Sequence, residues 1–397
     1  METSTILSGI QALDEVLQGI RLGDNVVWLV DGLEDYCYFT EPFAEAAIAN
    51  RQQLVYLRFA SHPPVLAPRP GLETIELNPS LGFDVFTREV HRLIETRGPE
   101  VLYVFDNLSA LVVEWATDEL LANFFQITCP FLSELKTIAY FALTRNQHAH
   151  YAVARIRDTT QILVDIYHAK GQMHIHPIKV WDRYSPQMFL PHLVAGKNWL
   201  PLSHSREAAE VVASAHQSPL LETTQPLAPW ESVYRRLVYY SNTLSGFDET
   251  DPEQLALKQE LGRILIGHHP VFNRLADRYF KLDDLFAIRN RLIGAGRIGG
   301  KAAGMLLARR ILLTEKDETG IDFAEWLEDH DSFYIGSDVF FTFLVNNDLF
   351  RLRLQLTRDS AISHEEFQEV EQRFLTGRFS AFIQEQFRAM LDYYGQA

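Results

Sequence analysis

The feature that most constrains the fold is an alternation of short apolar runs with helical stretches along the first 200 residues. The apolar runs are nearly continuous, which is typical of strands buried on both faces of a parallel sheet. The expected strands are 25–32, 54–60, 72–78, 101–106 and 137–144, and the expected helices are 9–19, 41–51, 84–96 and 118–135. After residue 158, three further apolar segments predict antiparallel strands that close one sheet edge. The sequence therefore predicts an α/β fold, with a mainly parallel sheet covered by helices on both faces.

A change of composition divides the chain into two parts. Residues 202–229 are small, polar and proline-containing, which is typical of a linker. The sequence thus predicts a first domain at 1–201 and a mostly helical α+β region at 230–397. A length of 397 residues is sufficient for two or three domains.

Charge and cysteine content exclude several classes of protein. The chain has 36 Lys and Arg against 52 Asp and Glu, a net charge of −16, whereas binding to nucleic acid or an anionic membrane depends on surplus positive charge. The two cysteines, Cys37 and Cys129, exclude a disulfide scaffold and a Cys-rich zinc module, and we expect no metal site. No leader-like N-terminus and no apolar run of about 18 residues is present, so we expect a cytoplasmic protein.

The segment after the first expected core strand lies where a phosphate-binding loop would be. Such a loop needs G-x-x-x-x-G-K-[ST], but residues 32–39 are GLEDYCYF. If Gly32 is the first glycine, Cys37 replaces the second, Tyr38 the lysine and Phe39 the hydroxyl residue. The acidic pair after Leu33 would repel a triphosphate. We therefore expect no nucleotide in this domain. Cys37 is either a reactive thiol or a packed side chain, and the sequence favours packing.

The first 200 residues resemble the RecA-like ATPases, in particular the KaiC and RadA branch. The similarity is carried by LSGIQALDEVLQGIRLGDNVVWLVDG, by VLYVFDNLSAL, by IAYFALTRN and by the segment ILVDIYHAKGQMHIHPIKVWDRYS. The resemblance implies a Walker B-like strand ending at Asp106, and it makes Lys179 and Arg183 candidates for inter-subunit contacts in a homo-oligomer. Asp106 is either a metal-linked carboxylate or a hydrogen-bonded residue at a strand end. The second interpretation is favoured, because the phosphate loop is lost.

Residues 148–155, HAHYAVAR, come close to the phosphohistidine stretch of phosphoenolpyruvate-utilising enzymes. Both His148 and His150 miss the required register by one residue. A loop and helix after a core strand explains the segment without phosphotransfer.

The most informative part of the second half is RLIGAGRIGGKAAGMLLARRIL at 291–312. Six basic residues and no acidic residue fall within 289–310. Five glycines lie around Lys301 at the start of an amphipathic helix. Glycines allow a ligand to approach the backbone, and a helix N-terminus offers N–H groups to an anion. The segment suits a phosphate-bearing ligand, although a helix start with a solvated lysine is an equally good interpretation.

This segment resembles the ATP-binding region of phosphoenolpyruvate synthase and pyruvate phosphate dikinase, which opens with G-G-K-[AGS]-x-[GN]-L. Downstream, DSFYIGSDVFFTFLVNNDL is similar to that family's strand-to-helix block, although Tyr334-Ile335-Gly336 departs from its usual proline and glycine. The resemblance implies that Lys301 contacts the nucleotide. The other candidates for phosphate binding are Gly299, Gly300, Gly304 and Arg297. ATP and Mg²⁺ would be held once a second ATP-grasp lobe completed the site, so the chain is either a fragment or a natural truncation.

Together these observations predict a non-catalytic regulatory or assembly region of a dikinase-like phosphotransferase, inactive alone and without catalytic residues. Its expected partners are a second copy of itself or the missing C-terminal domains. The alternative is a stand-alone scaffold or signalling protein with a RecA-like fold and no nucleotide chemistry. A working ATPase of the KaiC type fits least, because of Cys37, Tyr38 and Phe39.

Overall fold

A computed structural model describes residues 5–115, 117–196, 198–215, 229–242, 246–267, 269–315, 321–328, 330–358 and 363–396. The chain divides into two compact units. The first unit consists of Met1–Val112 and Phe124–Pro226, and the second of Val113–Asn123 and Leu227–Ala397. A short segment from the first half of the chain, 113–123, therefore belongs to the second unit.

The first unit alternates strands and helices as the apolar pattern predicts. Its strands are β1 (Thr5–Ile6), β2 (Ile20–Arg21), β3 (Asn25–Val30), β4 (Leu54–Arg58), β5 (Leu72–Glu76), β6 (Leu102–Asn107), β7 (Ile138–Thr144), β8 (Ile162–Ala169), β9 (Gln172–Val180), β10 (His192–Ala195) and β11 (Asn198–Pro201). Its helices are α1 (Gln11–Leu17), α2 (Leu33–Ala49), α3 (Phe83–Arg97), α6 (His150–Thr159) and α7 (Ser205–Ala215), with α4 (Ser109–Trp115) and α5 (Asp118–Glu134) running into and out of the segment 113–123.

Nine of the described strands form one sheet in the order β11-β10-β9-β8-β3-β7-β6-β4-β5. Neighbouring strands from β8 to β5 are parallel, and β8, β9, β10 and β11 pair antiparallel with one another. The α/β fold with a mainly parallel sheet is confirmed. The antiparallel strands expected after residue 158 are found at one edge of this sheet, and β8 joins them to the parallel part because it is antiparallel to β9 and parallel to β3.

Both faces of the sheet are buried by aromatic packing. On one face the Trp28 ring stacks on Phe39 of α2 with 4.1 Å between centroids, and Phe43 stacks on Tyr140 at 4.1 Å. On the other face Phe105 of β6 packs against Phe124 of α5. Because successive strand residues point to opposite faces, strands covered on both sides need unbroken apolar runs.

Two local predictions differ from the structure. The helix expected at 41–51 begins at Leu33, so Pro42 lies inside it rather than in its first turn. The expected linker 202–229 contains α7, whose Val211 packs with Tyr167 and Ala169 of β8. The remainder of that interval, 216–228, lies outside the described residues.

The second unit is mostly helical. Its elements after residue 229 are α8 (Pro229–Ser241), α9 (Pro252–Ile266), α10 (Pro270–Tyr279), α11 (Leu282–Asn290), β12 (Leu292–Ile293), α12 (Gly300–Thr314), β13 (Tyr334–Ile335), α13 (Ser337–Asn346), α14 (Phe350–Arg358), α15 (His364–Thr376) and α16 (Ala381–Gln396). Strands β12 and β13 pair in parallel. Within the described ranges, none of the helices is both long and apolar enough to span a bilayer.

Candidate functional site

The connection from β3 to α2 occupies the position of the expected phosphate loop. Asp31 and Gly32 join the two elements, and α2 begins at Leu33. Gly32 precedes the helix with an extended backbone, at φ −142°. The seven residues that would form the loop, 33–39, are therefore the first two turns of a helix.

The three substituted loop positions have different surroundings. Phe39 is fully buried against Trp28, whereas Tyr38 is 39% exposed. Cys37 is half-buried, and its Sγ lies 3.5 Å from the carbonyl oxygen of Val65. Burial raises the pKa of the Cys37 thiol, with a further contribution from two nearby glutamates. A thiol with a raised pKa is a poor nucleophile at neutral pH, which agrees with a packed cysteine.

Asp106 is the penultimate residue of β6 and is fully buried. Its carboxylate accepts hydrogen bonds from the Tyr56 hydroxyl and from the backbone N–H groups of Phe59 (2.9 Å) and Ala60 (3.0 Å). The Tyr56 oxygen in turn accepts from the N–H of Val65 at 3.0 Å. Asp106 therefore holds together the loop after β4, as expected for a hydrogen-bonded residue at a strand end.

Arg145 follows β7 and pairs with two carboxylates at the same sheet edge. Its guanidinium bonds to Asp31 at 2.8 Å and to Asp165 at 2.5 Å, and it lies 5.0 Å from the centre of the Tyr167 ring. The Arg145 side chain is 9% exposed. Sequence reasoning missed this residue, although the polar tip of the strand IAYFALTRN pointed to the position.

Histidines contribute two further polar pairs in the first unit. His168 Nε2 lies 2.7 Å from Asp35, a residue in the first turn of α2. His148 Nε2 lies 2.7 Å from the Ser109 hydroxyl, which also accepts from the N–H of Thr144 at 2.8 Å. His148 is 3% exposed. This burial is consistent with a structural residue rather than with a phosphohistidine on the surface.

The two candidates for inter-subunit contacts both bond within the first unit. Lys179 is partly exposed, and its ammonium bonds to the carbonyl oxygens of Arg157 (2.6 Å) and Asp158 (3.1 Å), in the last turn of α6. Arg183 has a 1% exposed side chain and bonds to Asp24 at 3.0 Å and to the Gly19 carbonyl at 2.6 Å. The expectation for Arg183 is therefore corrected, since a buried guanidinium paired with Asp24 is not presented to a neighbouring subunit.

In the second unit, the glycine-rich loop between β12 and α12 is built around Asp338. The carboxylate of Asp338 accepts from the N–H groups of Ala295 (2.9 Å) and Gly296 (2.7 Å). A Cβ at Gly296 would lie 2.7 Å from Asp338 Oδ1, and Gly294 has a φ of +88°. The first glycines of the loop are therefore required by an internal carboxylate.

Asp338 itself is 4% exposed and lies in the first turn of α13. Burial raises the pKa of its carboxyl, and the bonds from the loop amides act in the opposite direction. An arrangement of successive backbone N–H groups around one carboxylate is an anion-binding concavity of the kind that also holds phosphate. Here the anion that these N–H groups bind is the carboxylate of Asp338.

The remaining phosphate candidates fall into two groups. Arg297 is largely buried and donates to the backbone carbonyl of Glu114, and desolvation lowers the pKa of Arg297 to about 10. Lys301 is exposed at the second residue of α12. Among the described residues, no heavy atom lies within 4 Å of a Cβ built at Gly299, Gly300 or Gly304. The surroundings of Lys301 and of these three glycines are therefore open. Arg297, in contrast, is hydrogen-bonded to the segment 113–123.

Within the part of the chain that the structure describes, no group of three or more His, Cys, Asp and Glu side chains is arranged to hold a metal ion. No model of a known protein family matches the chain. The comparison with curated proteins also finds no match.

Proposed function

We propose that the first unit is a RecA-like module without phosphate chemistry, which serves as the assembly or regulatory region of a dikinase-like phosphotransferase. The second unit would be the first lobe of the ATP-binding domain, with Lys301 contacting the phosphates. The chain alone is expected to have no turnover.

The strand order supports a RecA-like interpretation of the first unit. Strand β3, which would carry the phosphate loop, lies in the interior of the sheet between β7 and β8. Strand β6, which contains Asp106 near its end, is separated from β3 by β7. Parallel strands of such a sheet are in general joined by right-handed helical crossovers.

The main support for a first unit that has lost its phosphate-binding loop is the direct connection from β3 to α2. A phosphate loop needs several backbone N–H groups that surround the phosphate instead of bonding within a helix. Here residues 33–39 are helical, and Phe39 is part of the core. In addition, Arg145 forms ion pairs with Asp31 and Asp165. Without these carboxylates, its guanidinium could stabilise a phosphate at this edge of the sheet.

The surroundings of Lys301 support a phosphate contact in the second unit. The ammonium lies in the first turn of α12, where the helix dipole favours an anion, and the nearby glycines leave the backbone open. The exposed N–H end of α12 and Lys301 would together hold the phosphates of ATP. The resemblance assigns the Mg²⁺ ligands to a second lobe.

Calorimetric titration of the full chain with ATP and Mg²⁺ tests this assignment. We expect binding that weakens about tenfold or more in Lys301→Ala, since the substitution removes one charge-assisted contact of about 1.5–3 kcal/mol. Arg274→Ala is the matched control, because Arg274 is an exposed cation on α10 of the same unit. Unchanged binding in Lys301→Ala would contradict the phosphate contact.

The scaffold alternative has one specific observation in its favour. The amides of Ala295 and Gly296, which could have bound a phosphate, are bonded to Asp338. If the wild-type chain binds no ATP in the same titration, the scaffold function replaces the phosphotransferase assignment. Light scattering over a range of concentrations then tests self-assembly, and a monomer throughout would argue against it.

A further inference from the structure

A basic cavity lies in the second unit, away from any function assigned above. Its volume is about 260 Å³, and it is lined by residues of α11, α12 and the segment 330–334. Lys301 is not among the lining residues. The cavity is therefore separate from the proposed ATP contact.

Three arginines dominate the charge of this cavity: Arg291, Arg309 and Arg310. Asp284 in the lining pairs with Arg310, and Asp331 beside the cavity pairs with Arg291, so the three guanidinium groups and two carboxylates leave a net charge of +1 with His330 neutral. This concentration of positive charge is unusual in a chain with a net charge of −16. A positive, partly enclosed site in a negative protein attracts a small anion.

Two of the three arginines, Arg291 and Arg310, are fixed in position by neighbouring side chains. Arg310 Nε bonds to Asp284 at 2.8 Å. Arg291 bonds to Asp331 at 2.7 Å and to the Tyr393 hydroxyl at 2.9 Å, and its guanidinium lies 4.4 Å from the centre of the Tyr393 ring. A guanidinium carries five N–H donors, so one carboxylate contact does not exhaust Arg310. Arginines held in this way lose little conformational entropy when a ligand binds.

Apolar side chains form another part of the cavity wall, beside the polar residues His330, Ser332 and Tyr334. Phe280 and Ile288 are 3% and 2% exposed and contribute to it, together with Leu306. Ligand sites of about 300–1,000 Å³ are usual for drug-sized molecules, and this cavity lies below that range. It is therefore suited to an anion with a short carbon skeleton and too small for a nucleotide.

We propose that this cavity binds a small organic phosphate, with the phosphoryl group on the arginines and the carbon skeleton against Phe280 and Ile288. A phosphate monoester carries a charge of about −1.5 to −2 at neutral pH, so a cluster of three arginines with a net positive charge attracts it. Arginine also binds phosphate oxygens in a bidentate manner. Binding would make the second unit responsive to a phosphorylated metabolite.

Titration of the full chain with glycerol 3-phosphate, inorganic phosphate and malonate tests the proposal. We expect glycerol 3-phosphate to bind most tightly, because it offers both the dianion and a carbon skeleton. Inorganic phosphate should bind more weakly, and malonate more weakly still. Tightest binding by malonate would assign the site to dicarboxylates and overturn the proposal, as would no binding of any probe up to about 10 mM.

Variants locate the site. Arg309→Gln and Arg310→Gln should each weaken glycerol 3-phosphate binding about tenfold or more, and Arg310→Lys should weaken it less, because it keeps the charge. Arg274→Gln, on α10 and outside the cavity lining, should bind glycerol 3-phosphate as wild type does. Far-UV circular dichroism establishes that each variant is folded. Equal loss in Arg274→Gln, or no loss in the folded arginine variants, would overturn the assignment, whatever the outcome with ATP.

Discussion

Two segments of this chain suggest phosphate binding, and they differ in what the backbone does. In the first unit, GLEDYCYF follows a core strand, but residues 33–39 are helical and Phe39 packs into the core. In the second unit, the loop from Gly294 to Gly299 is present, and two of its amides bind Asp338. The first segment lacks the loop, whereas the second has a loop with an internal anion.

The difference between these two segments shows that a glycine indicates what the backbone geometry requires and does not identify the ligand. Gly294 and Gly296 are needed because Asp338 comes within 3 Å of where their side chains would start. Gly299 and Gly300 have open surroundings among the described residues, so packing does not explain them. A single glycine-rich run thus contains positions with a structural cause and positions available to a ligand.

The largest expected effect on this comparison of the two segments is at Phe39, in the helical segment of the first unit. Phe39→Ala should lower the free energy of unfolding by about 4 kcal/mol, because it empties a buried site between Trp28 and Trp199. Tyr38→Ala is the matched control, and since Tyr38 is 39% exposed we expect a loss below about 1 kcal/mol. Urea unfolding measures both. Similar small losses would mean that residues 33–39 are a solvent-facing loop after all.

The next largest effect concerns the buried pair of the first unit. Arg183→Met should cost about 3 kcal/mol, because it leaves Asp24 buried without its cation. Lys179→Met should cost less, since the Lys179 ammonium is partly exposed and bonds to backbone carbonyls. Thermal unfolding at two protein concentrations is the measurement. If the stability lost in Arg183→Met depended on protein concentration, Arg183 would be assigned to a subunit interface.

Within the second loop, Gly296→Ala and Gly304→Ala should have opposite effects. Gly296→Ala should lower the free energy of unfolding by about 2 kcal/mol, because the new Cβ would meet Asp338 at 2.7 Å. Gly304→Ala lies inside α12 with open surroundings and should raise it by up to about 1 kcal/mol through helix propensity. Chemical denaturation distinguishes them. A neutral Gly296→Ala would show that Asp338 does not shape the loop.

The smallest expected effect is a pH dependence due to Asp338. Burial raises its pKa above the usual 3.8, so the folded state holds this proton more tightly than the unfolded state. The contribution of Asp338 to stability is then largest at low pH and falls as the pH rises from about 4 through the raised pKa, by about 1.4 kcal/mol per unit of pKa shift. The stability difference between wild type and Asp338→Asn should therefore decrease from pH 4 to pH 7. If urea unfolding showed that this stability difference increases from pH 4 to pH 7, the result would contradict the raised pKa.

Much of the first unit could be predicted from local pattern. Continuous apolar runs such as those around Trp28 and Tyr140 identify strands buried on both faces, and they are where the pattern places them. The start of α2 could not be predicted, because Pro42 suggested a first turn and the buried aromatic face upstream is defined only by the folded sheet. The parallel pairing of β8 with β3 could not be predicted for a similar reason, since the direction of pairing depends on which strand lies beside it.

The candidate sites were predicted less well, because their contacts join distant parts of the chain. Arg145 bonds to Asp31, 114 residues earlier, and Asp338 binds amides 42 and 43 residues earlier. No spacing rule relates such pairs. The exposure of Lys301 could be anticipated from its position at a helix start, whereas the engagement of Arg297 by Glu114 required the tertiary structure.

The segment 113–123 has a consequence for the order in which the protein is made. Asn123 donates to the Thr342 hydroxyl at 2.8 Å, across 219 residues of sequence. A nascent chain leaves the ribosome from its N-terminus, so residues 113–123 are synthesised long before α13 exists to receive them. The second unit therefore completes its contacts late in translation, and pairing over such a separation is slow. Until then residues 113–123 lack their contact with α13, so the time taken to synthesise residues 124–342 delays this step of folding.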